Sequence, residues 1–371
     1  MLARARPDLL IIGGGIIGCS AAAFAAERGA SVIVLEAEEI GAGASGRNSG
    51  AVQHPFDRVL AELHHATRRI YDELSAADPA AFDFPRAPVG LFLLTDDLDA
   101  ARARVAELEA EHPELQPTVL DEDELRRLEP MVAGGWSAIR LDTGFPIPPE
   151  AATRTFAARA RRAGTELRLD SRVAALGNGA SVTLDDGSSL EAGAVLVAAG
   201  PWSSELLAAS RGPAAIRPTY GVTLQIDLVD GPRGVLEEGA VHTVNRQVQG
   251  EDAGVVTFSL VNVRGTSTIG STFLSAKPDP AAMAPRLLEN AARFVPAVAG
   301  SRIVQSRVCA RPQSLDGRPF IGPLSGRRDT YVAAGHGPWG MSTGPASAAL
   351  VVDAILDGAA VPAALRADRA I

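Results

Sequence analysis

Residues 8–18 read DLLIIGGGIIG and residues 31–36 read SVIVLE. The first stretch is a short apolar run that ends in glycines, as a buried parallel strand does before a turn. Small residues from Ile16 to Arg28 then predict a helix that Gly29 stops, and the second stretch is a β-branched strand ending in Glu36. Together they form a βαβ unit. Gly13, Gly15 and Gly18 stand in G-x-G-x-x-G spacing between strand and helix, and each has a physical task. Gly13 permits the tight turn, Gly15 leaves room for a pyrophosphate at the helix N-terminus, and Gly18 lets helix and strand pack closely. Alone the motif is weak; with strand, helix and acid in register it predicts dinucleotide binding. Glu36 suits ribose hydroxyls and would repel a 2′-phosphate, which favours FAD or NAD over NADP.

The rest of the composition narrows the class. At about 100–200 residues per domain, 371 residues predict two or three domains, and 46% hydrophobic with 21% charged residues describes a globular chain. Asp and Glu number 44 against 35 Lys and Arg, a formal charge of −9, so no basic surface invites nucleic acid. A tRNA-modifying role is disfavoured on the same ground. Lys277 is the single lysine, so any chemistry needing one has one candidate. Cys19 and Cys309 form no metal-ligand spacing and no disulfide framework, which points to a reducing, cytoplasmic setting without a metal centre. Residues 9–26 mimic a signal segment, but three consecutive glycines fit a strand-turn-helix better.

Along the chain, the glycine-rich loop Gly41–Gly50 (GAGASGRNSG) feeds an amphipathic helix within Phe56–Leu74. A strand at Val89–Thr95, a helix at Leu98–Glu111 and a capping box at Asp121 and Glu124 follow. A helix over Glu150–Ala163 leads to a hairpin signal at Asp185-Asp186-Gly187 and to the wholly apolar strand Ala194–Ala199. Residues 217–275 alternate as an antiparallel sheet, Pro285–Phe294 returns to helix, and Tyr331–Ala334, a glycine turn and a small-residue helix to Leu356 close the chain. That second glycine turn, Gly335–Gly344, makes another anion-stabilising helix N-terminus. An NAD enzyme has no use for it, whereas a reduced flavin gathers negative charge that such a dipole favours.

At this point the residues resemble a known family. IIGGGIIGCSAA (11–22), LEAEEIGAGASGRNSG (35–50), VLVAAGPWS (195–203), RPQSLDGRPFIGP (311–323) and AAGHGPWGMSTGPA (333–346) are similar to blocks of the FAD-dependent D-amino acid oxidase, glycine oxidase and sarcosine oxidase superfamily. The resemblance runs the length of the chain and is specific for the superfamily, not for a substrate. It implies an α/β fold: a Rossmann-like FAD domain from 1–85, 149–216 and 305–371, and a substrate domain with a mixed, largely antiparallel sheet from 86–148 and 217–304.

By motif match, the resemblance assigns Gly13, Gly15, Ile16, Ile17 and Gly18 to the pyrophosphate and Glu36 to the ribose, with Ala37 also binding the cofactor. Ser45, Gly46, Arg47, Asn48, Ser49 and Gly50 would line pyrophosphate and flavin, and Val173 would meet adenine. Ala199 and Gly200 would close the back of the site. Gly340, Met341 and Ser342 would face the pyrimidine end of the ring, with Gly337 and Trp339 of the same turn also binding the cofactor. Arg311 matches the arginine that clamps the substrate carboxylate, a pairing whose planar fork suits it. Gln53, His54, Tyr220 and Trp339 are further candidates for the substrate side, and His242 lies on the same expected sheet. Where sarcosine oxidase-like members place a lysine for oxygen activation, this chain has Thr268, so O2 and another electron acceptor both remain open. Cys309 matches the position of a covalent flavin link, although a non-covalent FAD is the expectation.

The expected activity is oxidation of the Cα–N bond of a small amino acid of D-amino acid, glycine, sarcosine or proline type, with hydride passing to the flavin and the imine hydrolysing. A 2-hydroxy acid dehydrogenase would use the same arginine and need His54 as base. A flavin subunit of a larger amine dehydrogenase is the remaining alternative.

Overall fold

The computed structural model describes residues 6–208, 216–239 and 255–370. The chain opens with β1 (Leu9–Ile12), α1 (Ile16–Glu27), β2 (Val32–Leu35), α2 (Ala44–Arg47), β3 (Ala51–Val52) and α3 (Arg58–Ala77). Next come β4 (Leu91–Thr95), α4 (Leu98–Glu111), β5 (Thr118–Leu120), α5 (Glu122–Leu128), β6 (Ser137–Leu141) and β7 (Phe145–Pro146). The middle holds α6 (Ala151–Arg162), β8 (Glu166–Arg168), β9 (Val173–Leu176), β10 (Ser181–Leu184), β11 (Ser189–Glu191), β12 (Ala194–Val197) and α7 (Ser203–Ala208). Then follow β13 (Arg217–Asp227), β14 (Val235–Glu238), β15 (Val255–Val263), β16 (Thr266–Phe273) and α8 (Pro280–Phe294). The chain ends with β17 (Arg302–Gln313), β18 (Phe320–Pro323), β19 (Thr330–Ala334) and α9 (Gly340–Leu356).

A six-stranded sheet in the order β18-β19-β12-β1-β2-β8 forms the first layer, parallel except for the edge strand β18. Its central strands β1, β2 and β12 are buried on both faces, which is why they are continuously apolar. Leu9, Ile11, Val34 and Leu196 pack into the core shared with α1, α3, α6 and α9. Leu10, Ile12, Ile33 and Val195 pack toward the β9–β11 meander.

The second sheet has eight strands in the order β17-β13-β16-β15-β14-β4-β6-β5. It is mixed, since β14 pairs parallel with β4 while its other neighbour is antiparallel. Alternation splits its faces. Val222, Leu224, Phe258 and Leu260 meet Leu287, Ala291 and Phe294 of α8 in one core. The intervening residues turn the other way, toward the first sheet.

Two expectations shift. The helix expected from Pro285 begins at Pro280, because Asp279 caps it by accepting from Ala281 N at 2.9 Å and proline suits the first helical position. The boundary expected at 305 falls inside β17, one continuous 12-residue strand of the eight-stranded sheet. As an edge strand with Val304 55% exposed, β17 lacks the alternation that reveals a half-buried strand.

Candidate active site

The β1–α1 turn is shaped by what a side chain would strike. At Gly13, with φ +109°, a Cβ would lie 2.5 Å from Ala198 O, and at Gly18 it would lie 1.9 Å from Gly13 O. Both positions are closed by backbone, which seats α1 directly on β1. At Gly15 the added carbon would meet only Ser45 Oγ, at 3.2 Å, so this side opens into a cavity of about 630 Å³. No acidic residue stands in the first turn of α1, and Ile16 N donates to Ser45 Oγ at 2.9 Å. The result is a helix N-terminus with its positive end toward the cavity, a fit for an anionic bridge.

Glu36, at the end of β2, lines the same cavity and holds the turn: Gly14 N donates to its Oε2 at 2.6 Å and Glu38 N to its Oε1 at 2.9 Å. Each oxygen has a second lone pair for a hydroxyl. Ala37, Ser45, Arg47, Asn48, Ser49, Val173, Ala199 and Gly200 also line the cavity. Asn48 additionally ties the loop, donating to Ser45 O at 2.8 Å while accepting from Gly50 N at 2.8 Å.

The C-terminal turn reaches the same space. Gly337, Trp339, Gly340, Met341 and Ser342 line it, and the first turn of α9 carries no acid. Gly344 brings α9 against α1, its would-be Cβ being 3.2 Å from both Ile16 Cγ2 and Ile17 Cγ1. Two helix N-termini from opposite ends of the chain therefore open on one cavity. Gln53 joins them, its N donating to Ser342 Oγ at 3.0 Å. His336 also lines the cavity, its Nε2 3.0 Å from Ser347 Oγ, and burial pushes its pKa down to about 3, so the ring is neutral.

The polar face of the eight-stranded sheet covers the far side with Thr223, Glu237, Ser259, Ser271, Cys309 and Arg311. Arg311 Nη1 donates to Thr272 O at 2.9 Å, Nη2 bonds Ser271 Oγ, and the guanidinium stands 4.6 Å over the Phe273 ring. Among the described residues no carboxylate pairs with it. Burial lowers its pKa, the loss a buried cation suffers until an anion arrives. Room for the guanidinium comes from Gly221, directly opposite Cys309 on β13, where a Cβ would lie 2.3 Å from Arg311 Nη2. Burial holds the Cys309 thiol above its ordinary range, against the positive pull of Arg311, so the nucleophilic thiolate is disfavoured.

Five expected residues do not line the cavity. Gly18, Gly46 and Gly50 serve the backbone instead: a Cβ at Gly46 would lie 2.6 Å from Gly41 O, and one at Gly50 2.7 Å from Ile147 O. Tyr220 shares the strand parity of Val222 and Leu224, the face that packs on α8. His54 alternates away from Ala51 and Gln53 into a buried cluster of histidines, so the base that a 2-hydroxy acid dehydrogenase would need is not at the cavity. His242 lies outside the described residues. Conversely, sequence reasoning missed Gly221, Glu237, Ser259 and Ser271. Glu237 is buried, lines the cavity and accepts from Gln53 Nε2 at 2.7 Å. Its signal was an acid placed directly after Val235 and Leu236 in the short strand Val235–Glu238.

Comparison with known proteins agrees with this geometry. The model of the FAD dependent oxidoreductase family matches residues 8–354. A glycine oxidase of Bacillus licheniformis is 26% identical, with 95% of this chain and 94% of that protein aligned. The crystal structure of glycine oxidase from Geobacillus kaustophilus superposes with a TM-score of 0.85 at 22% identity, covering 99% of each chain. L-proline dehydrogenase from P. horikoshii gives 0.82 at 18% identity, covering 96% of this chain and 95% of that one. With the family matched across nearly the whole chain and one cavity of about 630 Å³ lined by the N-termini of both α1 and α9, the protein belongs to the FAD-dependent oxidoreductase (DAO) family, and FAD is its cofactor.

Proposed function

We propose that this enzyme oxidises the Cα–N bond of a small amino acid to an imine, which water then hydrolyses. One observation carries the reading: Arg311, a partly buried guanidinium with no acidic partner among the described residues, faces the cavity that the two helix N-termini share. A substrate carboxylate completes its charge, and each charged hydrogen bond contributes roughly 1.5–3 kcal/mol. The glycine oxidase relative and the proline dehydrogenase neighbour, proteins named for oxidising amino acids, support the same substrate class.

In this reading Gly13, Gly15, Ile16 and Ile17 hold the pyrophosphate and Glu36 the ribose. Gly340, Met341 and Ser342 would hold the flavin end of the cofactor, and Val173 the adenine end. FAD, when bound, supplies the isoalloxazine that takes up the Cα hydrogen with its electron pair. The chain's own residues position and desolvate. Arg311 fixes the carboxylate, Ser271 and Phe273 fix Arg311, and the neutral His336 adds no charge beneath the second helix N-terminus. The Cys309 thiol stays protonated, which supports non-covalent FAD.

The test is anaerobic addition of glycine, sarcosine, proline and D- and L-amino acids, following the flavin absorbance. Rapid bleaching by at least one carboxylate-bearing amine is expected. Bleaching by a 2-hydroxy acid and by none of the amines would reject the proposal.

A further inference from the structure

Four of the chain's six histidines gather away from the cavity. His54 follows β3, His64 and His65 sit on α3, and His112 ends α4. The His54 ring centroid lies 5.3 Å from that of His64, 5.5 Å from His65 and 5.1 Å from His112. Glu114, in the short turn after α4, enters the same cluster. Its Oε1 stands 3.2 Å from His54 Nε2 and 3.4 Å from His112 Nδ1.

His54 is 1% exposed, yet neither of its ring nitrogens makes a hydrogen bond. A buried polar atom left without a partner is costly, so such an atom calls for an explanation. Two lone-pair-bearing atoms at 3.2 Å without hydrogen-bond alignment have the spacing of two ligands on one ion. For bonds of about 2.0–2.2 Å, the edge of a tetrahedron is about 3.4 Å. One ligand nitrogen of His65, together with those atoms of His54 and Glu114, forms a set lying within 4.8 Å of one another. His65 and Glu114 are partly exposed and can close that gap by rotation.

We propose that His54, His65 and Glu114 bind a divalent transition-metal ion, Zn²⁺ by ligand type, with His112 hydrogen-bonding Glu114 to orient it. Imidazole with carboxylate suits Zn²⁺, whereas Mg²⁺ and Ca²⁺ require oxygen ligands. Partners of a ligating carboxylate commonly fix its geometry, the part that falls to His112. The ion would join the start of α3 to the end of α4, next to Gln53 on the cavity wall.

The test uses untagged, FAD-loaded protein treated with a chelator and dialysed. Calorimetric titration with Zn²⁺ is expected to give one ion per chain, Co²⁺ to give the visible bands of a four-coordinate site, and Mg²⁺ and Ca²⁺ no binding. His65→Ala and Glu114→Gln, both at partly exposed positions, should abolish stoichiometric uptake, and His112→Asn should weaken it by about 10–100-fold. Zn²⁺ should also raise the Tm of the unsubstituted protein and leave that of His65→Ala unmoved. Failure of the unsubstituted protein to bind Zn²⁺ one to one, or undiminished binding in both ligand variants, overturns the proposal.

Discussion

Consider Gly221→Ala, a substitution that adds one carbon to β13 and touches no substrate. The new Cβ would lie 2.3 Å from Arg311 Nη2 and 2.6 Å from both Cζ and Nη1, where ordinary contact is 3.4–4 Å. The guanidinium must therefore withdraw by about 1 Å, giving up its alignment with Ser271 Oγ and Thr272 O. A misplacement of about 1 Å in a positioning group can lower the rate about 100-fold, or roughly 2.7 kcal/mol. Alanine also suits a strand interior better than glycine by about 0.5–1 kcal/mol, so folding is not at risk. The assay is steady-state kinetics on the best amino acid of the anaerobic panel, with flavin content and Tm as controls. We expect kcat/KM to fall about 10–100-fold with FAD loading unchanged, and carboxylate inhibitors to weaken in parallel. A fully loaded variant with kcat/KM within about twofold of the parent would refute the seat assigned to Arg311.

Arg311→Met should raise KM steeply and cost on the order of 2–4 kcal/mol in kcat/KM, because the carboxylate loses its charged partner; unchanged steady-state constants would remove the clamp. Gly15→Val projects a side chain into the open space of the cradle, so the purified protein should lose its yellow colour while keeping its far-UV circular dichroism; full flavin content would argue against the assignment. Cys309→Ser should retain FAD that acid precipitation releases into the supernatant, as in the parent; flavin remaining on the parent polypeptide would establish a covalent link instead. His336 titrates near 6.5 when unfolded and near about 3 when buried. Between those values the unfolded chain binds a proton that the native state refuses, so stability falls as pH drops, by up to about 1.4 kcal/mol per unit. His336→Gln should flatten the decline of Tm with acidification, and an identical decline would show that another group is responsible.

The cradle was legible because its information is local: Gly13, Gly15, Gly18 and Glu36 lie within one βαβ unit, and their spacing encodes turn, approach and packing. The convergence of the second turn was legible through the resemblance, not through spacing. Gly221, Glu237, Ser259 and Ser271 were hidden for a physical reason. Glu237, Ser259 and Ser271 reach the cavity, and Gly221 reaches Arg311, only through the register of strands distant in sequence, and β14 pairs parallel with β4 across more than a hundred residues. His54 illustrates the cost of a period of two: one residue beyond Gln53 it points to the opposite side. The histidine cluster could not be read from sequence because His112, at the end of α4, and Glu114, in the turn after it, meet His54 only through tertiary contacts across more than fifty residues.

Arg311 as a carboxylate clamp over bound flavin is the claim on which the account stands. Its most direct test is stopped-flow reduction of the FAD-loaded enzyme by its best amino acid and by the methyl ester of that amino acid. The account predicts that the ester reduces the flavin with an apparent second-order constant lower by about 100-fold, and that Arg311→Met removes most of that difference. Equal reduction of the parent enzyme by acid and ester would contradict it.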